Sequence, residues 1–424
     1  MKPITLILIL LSITSVLGVI TIVTDSWIKI ILSGVPPTSI AYHSSVLNPI
    51  NNTLVIFGGK NKDTTYNTLT LYDIINDAWL NMSLSNSTNN SPAGSIPSAR
   101  YGHVALTTPF NTMYVFGGRD NTSVFNDIYK YNMELDQWVL IKPTGTPPQG
   151  RWGHSGVMYA IKNQFLFFGG KTLDNLLLND IIRYDFELDA WIQPIEYGSS
   201  TVDPFAPSKR YLHSAILTLT NEMVIFGGME QQGVSNAIYL FSAETNVWLN
   251  STLNTTSDLP SPVSSHGTIL TPLGQMLVFG GQLKDQTSTD AVWKFDFKYM
   301  TWTSILPSGL GPDARFGHTA TATNLNTMMV FGGQSSSSSY LNDIAKYNVV
   351  NSVLRSSSDG VVLVVLLSIV GSMIVGLCFA LDLMAERNER AKLERELKVT
   401  GSELKLKKKS KKPEEVRQPL FEKF

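Results

Sequence analysis

Six short apolar runs divide the chain at nearly regular intervals, and each run ends in the same three residues. The first three runs read LVIFGG, MYVFGG and FLFFGG. Phe-Gly-Gly begins at Phe57, Phe116, Phe168, Phe226, Phe279 and Phe331, with steps of 59, 52, 58, 53 and 52 residues. Runs that are apolar throughout predict strands with both faces covered. A repeat of about 50 residues predicts similar units that stack on one another.

Other residue types recur at fixed distances from the apolar runs. A histidine stands 13 or 14 residues before each run's Phe, which accounts for all the histidines of the chain: His43, His103, His154, His213, His266 and His318. After the run, an aromatic residue and a tryptophan recur seven residues apart, at Trp79, Trp138, Trp191, Trp248 and Trp302. Asn or Gly five residues before each Phe predicts a turn with positive φ between the first two strands of a unit. The pattern therefore predicts four strands in each unit.

Units of this length with these residues resemble the repeats of the kelch family, over about residues 27–354. The resemblance implies an all-β fold, a six-bladed kelch β-propeller related to the central domain of galactose-oxidase-like proteins. A copper site of the galactose oxidase kind needs a cysteine bonded to a tyrosine, and Cys378 is the only cysteine of the chain. We therefore expect a propeller without that site, and no cofactor.

The sixth unit has Leu354 where the pattern calls for a tryptophan. Trp27 stands 16 residues before His43, the spacing that also separates Trp138 from His154. We therefore predict that Trp27 belongs to a fourth strand of the sixth unit and pairs with the strand around 345–347. An N-terminal strand would then close the ring.

Two apolar segments flank the repeats. The first, residues 4–23, follows Lys2 and predicts a signal peptide cleaved near residue 18, with an uncleaved N-terminal anchor as the alternative. The second, residues 361–381, holds no charged residue, is long enough for a transmembrane helix and is followed by basic residues. The predicted organisation is a signal peptide at 1–18, a propeller at 19–355, a transmembrane helix at 361–381 and a helical or disordered basic tail at 382–424.

This organisation predicts a single-pass type I membrane protein of the cell surface or secretory pathway, with the propeller outside or in the lumen. Sequons between the apolar segments predict N-glycosylation at Asn51, Asn81, Asn86, Asn89, Asn121, Asn250 and Asn254. The lysine-rich segment 405–412 predicts contact of the tail with anionic lipid or cytosolic partners. The whole chain has a net charge of −1, and nothing in its body indicates a nucleic-acid partner.

Two sets of residues are candidates for a site. The histidines hold one repeat position, so a ring would separate them, whereas metal ligands must converge. We therefore predict a packing or hydrogen-bonding role and no metal site. Arginines precede four of the histidines by three residues, at Arg100, Arg151, Arg210 and Arg315. They could form blade-to-blade hydrogen bonds, or a ring of guanidinium groups that binds an anionic ligand. Because kelch proteins that bind peptides use this face, the resemblance makes these arginines the predicted ligand-binding residues.

Three hypotheses for function follow. The favoured one is a non-enzymatic binding protein that recognises a protein or glycan with the long-loop face, because long loops on a rigid scaffold carry binding sites. The second is a carbohydrate-active enzyme of the kelch-propeller type, similar to sugar epimerases or mutarotases. The third is a cell-shape or polarity scaffold that acts through its cytosolic tail. No catalytic residue is predicted.

Overall fold

The apolar runs and their flanking segments form antiparallel strands in a computed structural model of the chain. The structure describes residues 25–80, 96–192, 203–251, 253, 258–336 and 338–349. These residues all lie in Met1–Asn351, the first of two units into which the chain divides. Strands dominate the described residues, with one short 3-10 helix at Ala160–Lys162. The predicted all-β class is confirmed.

Six four-stranded sheets, which we call blades, contain most of the strands. The first strands of blades 1 to 6 are β2 (Ser44–Asn48), β6 (Val104–Thr108), β10 (Ser155–Tyr159), β15 (Ser214–Leu217), β21 (Gly267–Leu270) and β25 (Thr319–Ala322). The second strands are β3 (Thr53–Phe57), β7 (Thr112–Phe116), β11 (Gln164–Lys171), β16 (Glu222–Phe226), β22 (Met276–Phe279) and β26 (Thr327–Phe331).

The outer half of each blade follows in the same order. The third strands are β4 (Leu69–Asp73), β8 (Ile128–Asn132), β12 (Leu177–Asp185), β19 (Ile238–Ser242), β23 (Val292–Asp296) and β27 (Ile344–Asn348). The fourth strands are β5 (Ala78–Leu80), β9 (Gln137–Leu140), β13 (Ala190–Ile192), β20 (Val247–Leu249), β24 (Thr301–Ile305) and, for blade 6, β1 (Ser26–Ile28). A small sheet beside blade 4 joins β14 (Arg210–Tyr211), β17 (Met229–Glu230) and β18 (Gly233–Val234).

The second strands are buried on both faces because a neighbouring blade covers each face. Every residue of β3, β7 and β26 is buried. The predicted turns before these strands are confirmed by positive φ at Asn52, Asn111, Asn163, Asn221, Gly274 and Asn326. Asn and Gly occupy this position because they adopt the left-handed region at the lowest steric cost.

Each second-strand Phe lies between two rings of the next blade. Phe57 of blade 1 contacts His103 and Trp138 of blade 2, with ring centroids 5.4 and 4.9 Å away. In the other blades the Trp–Phe pairs are Trp191 with Phe116, Trp248 with Phe168, Trp302 with Phe226, Trp27 with Phe279, and Trp79 with Phe331. The last pair returns from blade 1 to blade 6, so the same contact joins every blade to its neighbour.

Trp27 completes blade 6, as the spacing of the tryptophans predicts. It lies opposite Tyr347 in the β1–β27 ladder, and the two ring centroids are 5.0 Å apart. Asp25, just before β1, forms a salt bridge of 2.9 Å to Lys294 of blade 5. The two ends of the repeat region therefore meet in one sheet, and the predicted pairing is confirmed.

The predicted localisation is corrected. In the part of the chain that the structure describes, no helix combines the length and apolar character needed to cross a bilayer. The predicted signal peptide at 1–18, the transmembrane helix at 361–381 and the basic tail at 382–424 lie outside the described residues. Type I membrane placement is therefore withdrawn.

The glycosylation prediction stays a prediction. Asn51, Asn121 and Asn250 are exposed. The other four sequons, at Asn81, Asn86, Asn89 and Asn254, lie outside the described residues.

We expect Trp27→Ala to weaken the whole ring, because Trp27 is 8% exposed and holds the seam between blades 5 and 6. Loss of a buried tryptophan costs about 3–5 kcal/mol of unfolding free energy. Urea unfolding of the full chain measures it. Ile28→Ala is the matched control, since Ile28 is 40% exposed on the same strand. Equal effects of the two substitutions would contradict a closing role for β1.

Candidate functional site

A closed circle of backbone hydrogen bonds surrounds the centre of the molecule at one end of the blades. Its members each stand one residue before a histidine: Tyr42, Gly102, Gly153, Leu212, Ser265 and Gly317. Each donates its N–H to the carbonyl of the previous blade's member at 2.6–2.8 Å, and Tyr42 closes the circle by donating to Gly317. All six have φ between 54° and 64°. With the histidines, they line a cavity of about 120 Å³.

The histidines beside this circle are buried and neutral. Burial lowers the pKa of His43 and of His266 to about 3, and it lowers the pKa of the other four well below its usual value. Among the described residues, no group of three or more His, Cys, Asp or Glu side chains could hold a metal ion. The geometry gives the histidines a packing role, since each ring lies against the preceding blade's Phe.

Three histidines also bridge blades by a hydrogen bond to a hydroxyl. The Nε2 atoms of His43, His103 and His266 lie 3.1, 2.8 and 2.8 Å from the hydroxyl oxygens of Thr319, Ser44 and Ser214. Each hydroxyl belongs to the residue that follows the histidine of the preceding blade.

The other three Nε2 atoms have no hydrogen-bond partner among the described residues. For His154 and His318 the cause lies in the sequence, because the matching positions hold Val104 and Gly267, which have no hydroxyl. For His213 the matching residue is Ser155, whose hydroxyl also makes no bond to a described residue.

The four predicted ligand-binding arginines are fully buried and ion-paired. In blade 2, Arg100 donates to the Gly117 carbonyl at 3.0 Å and to both oxygens of Asp127 at 2.6 and 3.0 Å. The other ion pairs are Arg151–Asp180, Arg210–Glu230 and Arg315–Asp343, at 2.7–2.8 Å. Each guanidinium is held by a carboxylate of its own repeat, so a ligand would have to displace that carboxylate. Their ligand-binding role stays a prediction. The observed side-chain bonds stay within one blade, so they differ from the blade-to-blade bonds of the structural alternative.

Half-buried cations lie elsewhere on the same face. The residues directly after Gly-Gly in blades 1, 2 and 3 are Lys60, Arg119 and Lys171, whereas blades 4, 5 and 6 have Met229, Gln282 and Gln334. Isolated β-bridges join the residue after Gly-Gly to the residue that follows the buried arginine of the same blade, or its equivalent. Examples are the bridges of Arg119 with Tyr101 and of Lys171 with Trp152. The loops after the second strand and before the first strand therefore meet at the mouth.

Each of these cations lies over an aromatic ring of the next blade. Lys60 Nζ is 4.7 Å from the ring centroid of Tyr101, and Lys171 Nζ is 5.1 Å from that of Tyr211. Arg119 Cζ is 5.2 Å from the Trp152 ring. Cation–π contacts of this kind hold the charges in place without neutralising them. We call these residues the cation–aromatic arc: Lys60, Arg119, Lys171, Tyr101, Trp152 and Tyr211.

The arc carries positive charge. Among the described residues, no carboxylate lies within salt-bridge distance of its three cations, although Arg119 interacts electrostatically with the neighbouring Asp120. Burial lowers the pKa of Lys60, and the neighbouring positive charge of Arg119 lowers it further. The nearby Asp120 carboxylate accepts hydrogen bonds from the backbone N–H groups of Thr122 and Ser123. An anion that bound the arc would relieve the repulsion between neighbouring cations.

Comparison with known proteins places the chain among propellers. The family model for the Attractin/LZTR1 beta-propeller matches residues 13–232, and the model for the KLHDC2/KLHL20/DRC7 Kelch-repeats domain matches residues 199–357. The chain is 27% identical over 298 residues to "Kelch domain-containing protein 3" of Rattus norvegicus. The aligned region covers 66% of this chain and 74% of the relative.

Two longer proteins are similar over a smaller share of their length. "Putative protein tag-53" of Caenorhabditis elegans is 28% identical over 59% of this chain and 18% of its own length. "Leucine-zipper-like transcriptional regulator 1 homolog" of Drosophila melanogaster is 28% identical over 57% of this chain and 25% of its own length. The similarity is therefore confined to a part of these two relatives.

We expect stability to fall as the pH falls below about 6.5. In that range the unfolded chain binds a proton at each histidine, whereas the folded chain does not until the pH approaches the lowered pKa. Unfolding then takes up protons, and each histidine lowers the unfolding free energy by about 1.4 kcal/mol per pH unit. Urea unfolding between about pH 5.5 and 7.5 measures the slope, above the main carboxylate range. His154→Gln should reduce the slope of unfolding free energy against pH by the contribution of one proton. An unchanged slope would contradict buried neutral histidines.

We expect Val104→Thr to stabilise the chain by about 1 kcal/mol, because the new hydroxyl would face the unpartnered Nε2 of His154. Val115→Thr is the matched control. Val115 is fully buried among apolar side chains, so its hydroxyl should cost about 1–3 kcal/mol. Urea midpoints give both values. A loss for Val104→Thr equal to that of the control would show that no such bond forms.

Proposed function

We propose that this chain, which belongs to the kelch-repeat β-propeller family, is a protein-binding module that holds an acidic segment of a partner at the mouth of its ring. The observation that carries the proposal is the cation–aromatic arc. Its three cations sit on half-buried side chains over aromatic rings and make no salt bridge among the described residues. Such fixed charges lose little side-chain entropy when an anion binds.

A closed ring of six blades is part of this proposal. The first strands contact one another in the order β2, β6, β10, β15, β21, β25 and back to β2. The circle of backbone hydrogen bonds and the Trp–Phe contacts follow the same cyclic order. A ring of this kind holds the loops of all blades around one mouth, so that a single extended segment can contact several blades at once.

The chemistry of the mouth favours binding over catalysis. The histidines at the mouth are kept neutral by burial and pack against phenylalanines of the preceding blade. The arginines nearby are buried in ion pairs. The arc instead combines two lysines with tyrosines, a tryptophan and an arginine, and the last three residue types are enriched where proteins bind protein partners. An acidic segment would satisfy its charge and stack against its rings.

We expect the double variant Lys60→Ala/Lys171→Ala to bind an acidic peptide at least about tenfold more weakly than the unchanged chain. The probe is a fluorescein-labelled decapeptide of alternating Glu and Gly, followed by fluorescence anisotropy with the full chain. Binding should weaken as salt rises, because the cations are partly exposed. A decapeptide of alternating Lys and Gly should not bind.

The matched control is Lys162→Ala/Lys298→Ala. These lysines lie in turns at the opposite end of the blades, between first and second strands and between third and fourth strands. The control removes the same charge and should leave acidic-peptide binding unchanged. If both doubles weaken binding equally, net charge is responsible and the arc is not the site. Equal binding of the acidic and basic peptides would also refute the proposal.

A further inference from the structure

Blade 5 lacks an ion pair that four other blades contain, and this difference leaves a cavity. In blade 2 the Arg100 guanidinium donates to the Gly117 carbonyl, pairs with Asp127, and lies 5.2 Å from the ring of Tyr129. Blade 4 has a similar stack, in which Arg210 lies 4.8 Å from the ring of Tyr239. The guanidinium, the carboxylate and the aromatic ring therefore form one packed group.

The backbone of blade 5 matches these blades while two of the side chains do not. Gly280 N–H donates to the Ala291 carbonyl at 3.2 Å, as Gly117 N–H donates to the Asp127 carbonyl at 3.2 Å. Ala291 therefore takes the place of the aspartate. By the same comparison, Val263 takes the place of the arginine, because its carbonyl accepts from Gly228 at 2.9 Å as the Arg151 carbonyl accepts from Gly118 at 2.9 Å.

The aromatic wall is retained without the cation. Trp293, on β23, is the counterpart of Tyr129 and lies two residues after Ala291. Trp293, Val263, Val278, Leu283 and Ala291 line a cavity of about 60 Å³, which we call the blade 5 slot. Among the described residues, no titratable side chain lines it. The cavity volume of about 60 Å³ corresponds to roughly four groups the size of a water molecule, at about 15 Å³ each.

We infer that the blade 5 slot binds a branched aliphatic side chain of a partner protein. Its walls are mainly carbon, and the four heavy atoms of a leucine or the three of a valine side chain match its size. A cationic side chain is disfavoured because Ala291 offers no carboxylate, and burial of an unpaired charge is costly. An aromatic ring is too large for the space.

The position of the slot fits a partner that lies across the mouth. Pro260 and Ser261, in the loop before the first strand, and Leu283 and Thr289, in the loop after the second strand, form its rim. The same two classes of loop carry the cation–aromatic arc on blades 1 to 3. The inference extends the proposed function to a second contact on this face, but the slot has its own ligand and its own test.

The test uses N-acetyl-leucinamide as the probe and methyl NMR of the full chain as the measurement. Saturable shifts are expected for the methyl groups of Val263, Val278 and Leu283. N-acetyl-alaninamide should bind at least about tenfold more weakly, because it buries three fewer carbons. N-acetyl-aspartamide should give no saturable shift at these methyl groups. Absence of saturable shifts with the leucine probe up to its solubility limit would overturn the inference.

Two variants that fill the slot test whether the leucine probe binds there. Val263→Arg/Ala291→Asp rebuilds the ion pair of the other blades and should fold with at least the original urea midpoint, while losing the leucine probe. Ala291→Val fills the slot with carbon and should also lose it. Probe shifts that persist unchanged in both variants would place the ligand elsewhere and refute the slot. These variants leave the arc unchanged, so they should still bind the acidic peptide if the proposed function is right. Measuring acidic-peptide binding therefore tests the proposed function independently of the slot.

Discussion

The rest of the structure depends on the contact between the phenylalanine of each Phe-Gly-Gly and two rings of the next blade, which we call the clamp. A histidine and a tryptophan of the next blade lie against that ring in every pair of neighbouring blades, with centroids about 5 Å away. No blade can bury its own second strand, because both faces of that strand are apolar. The clamp therefore couples the burial of each blade to the presence of the next.

Closure follows from the same constraint. An open row of such blades would leave a phenylalanine without its clamp at one end, and a histidine and a tryptophan without their phenylalanine at the other end. The contacts of Phe331 with His43 and Trp79 remove that exposed surface, and Trp27 completes the clamp on Phe279. The clamp also excludes water from the histidines, and this burial lowers their pKa values.

Recognition is left to the positions at which the repeats differ. The clamp residues are the same from blade to blade, whereas the residue after Gly-Gly changes from basic in blades 1 to 3 to neutral in blades 4 to 6. The arginine position changes too, and its replacement by Val263 together with Ala291 opens the blade 5 slot. Side chains that differ on identical backbones can alter the surface without disturbing the clamps beneath it.

The repeat pattern alone determined the strand order of each unit, the turns with positive φ and the pairing of Trp27, because each depends on local sequence and on a spacing that recurs. It also predicted a packing role for the histidines, and each of them lies against the phenylalanine of the preceding blade. The tertiary structure decided which cations are paired. Arg100 meets Asp127, 27 residues away, whereas Lys60 lies over aromatic rings and makes no salt bridge in the described part of the chain. Whether a charge is paired depends on what the fold brings beside it, and sequence spacing does not record that distance.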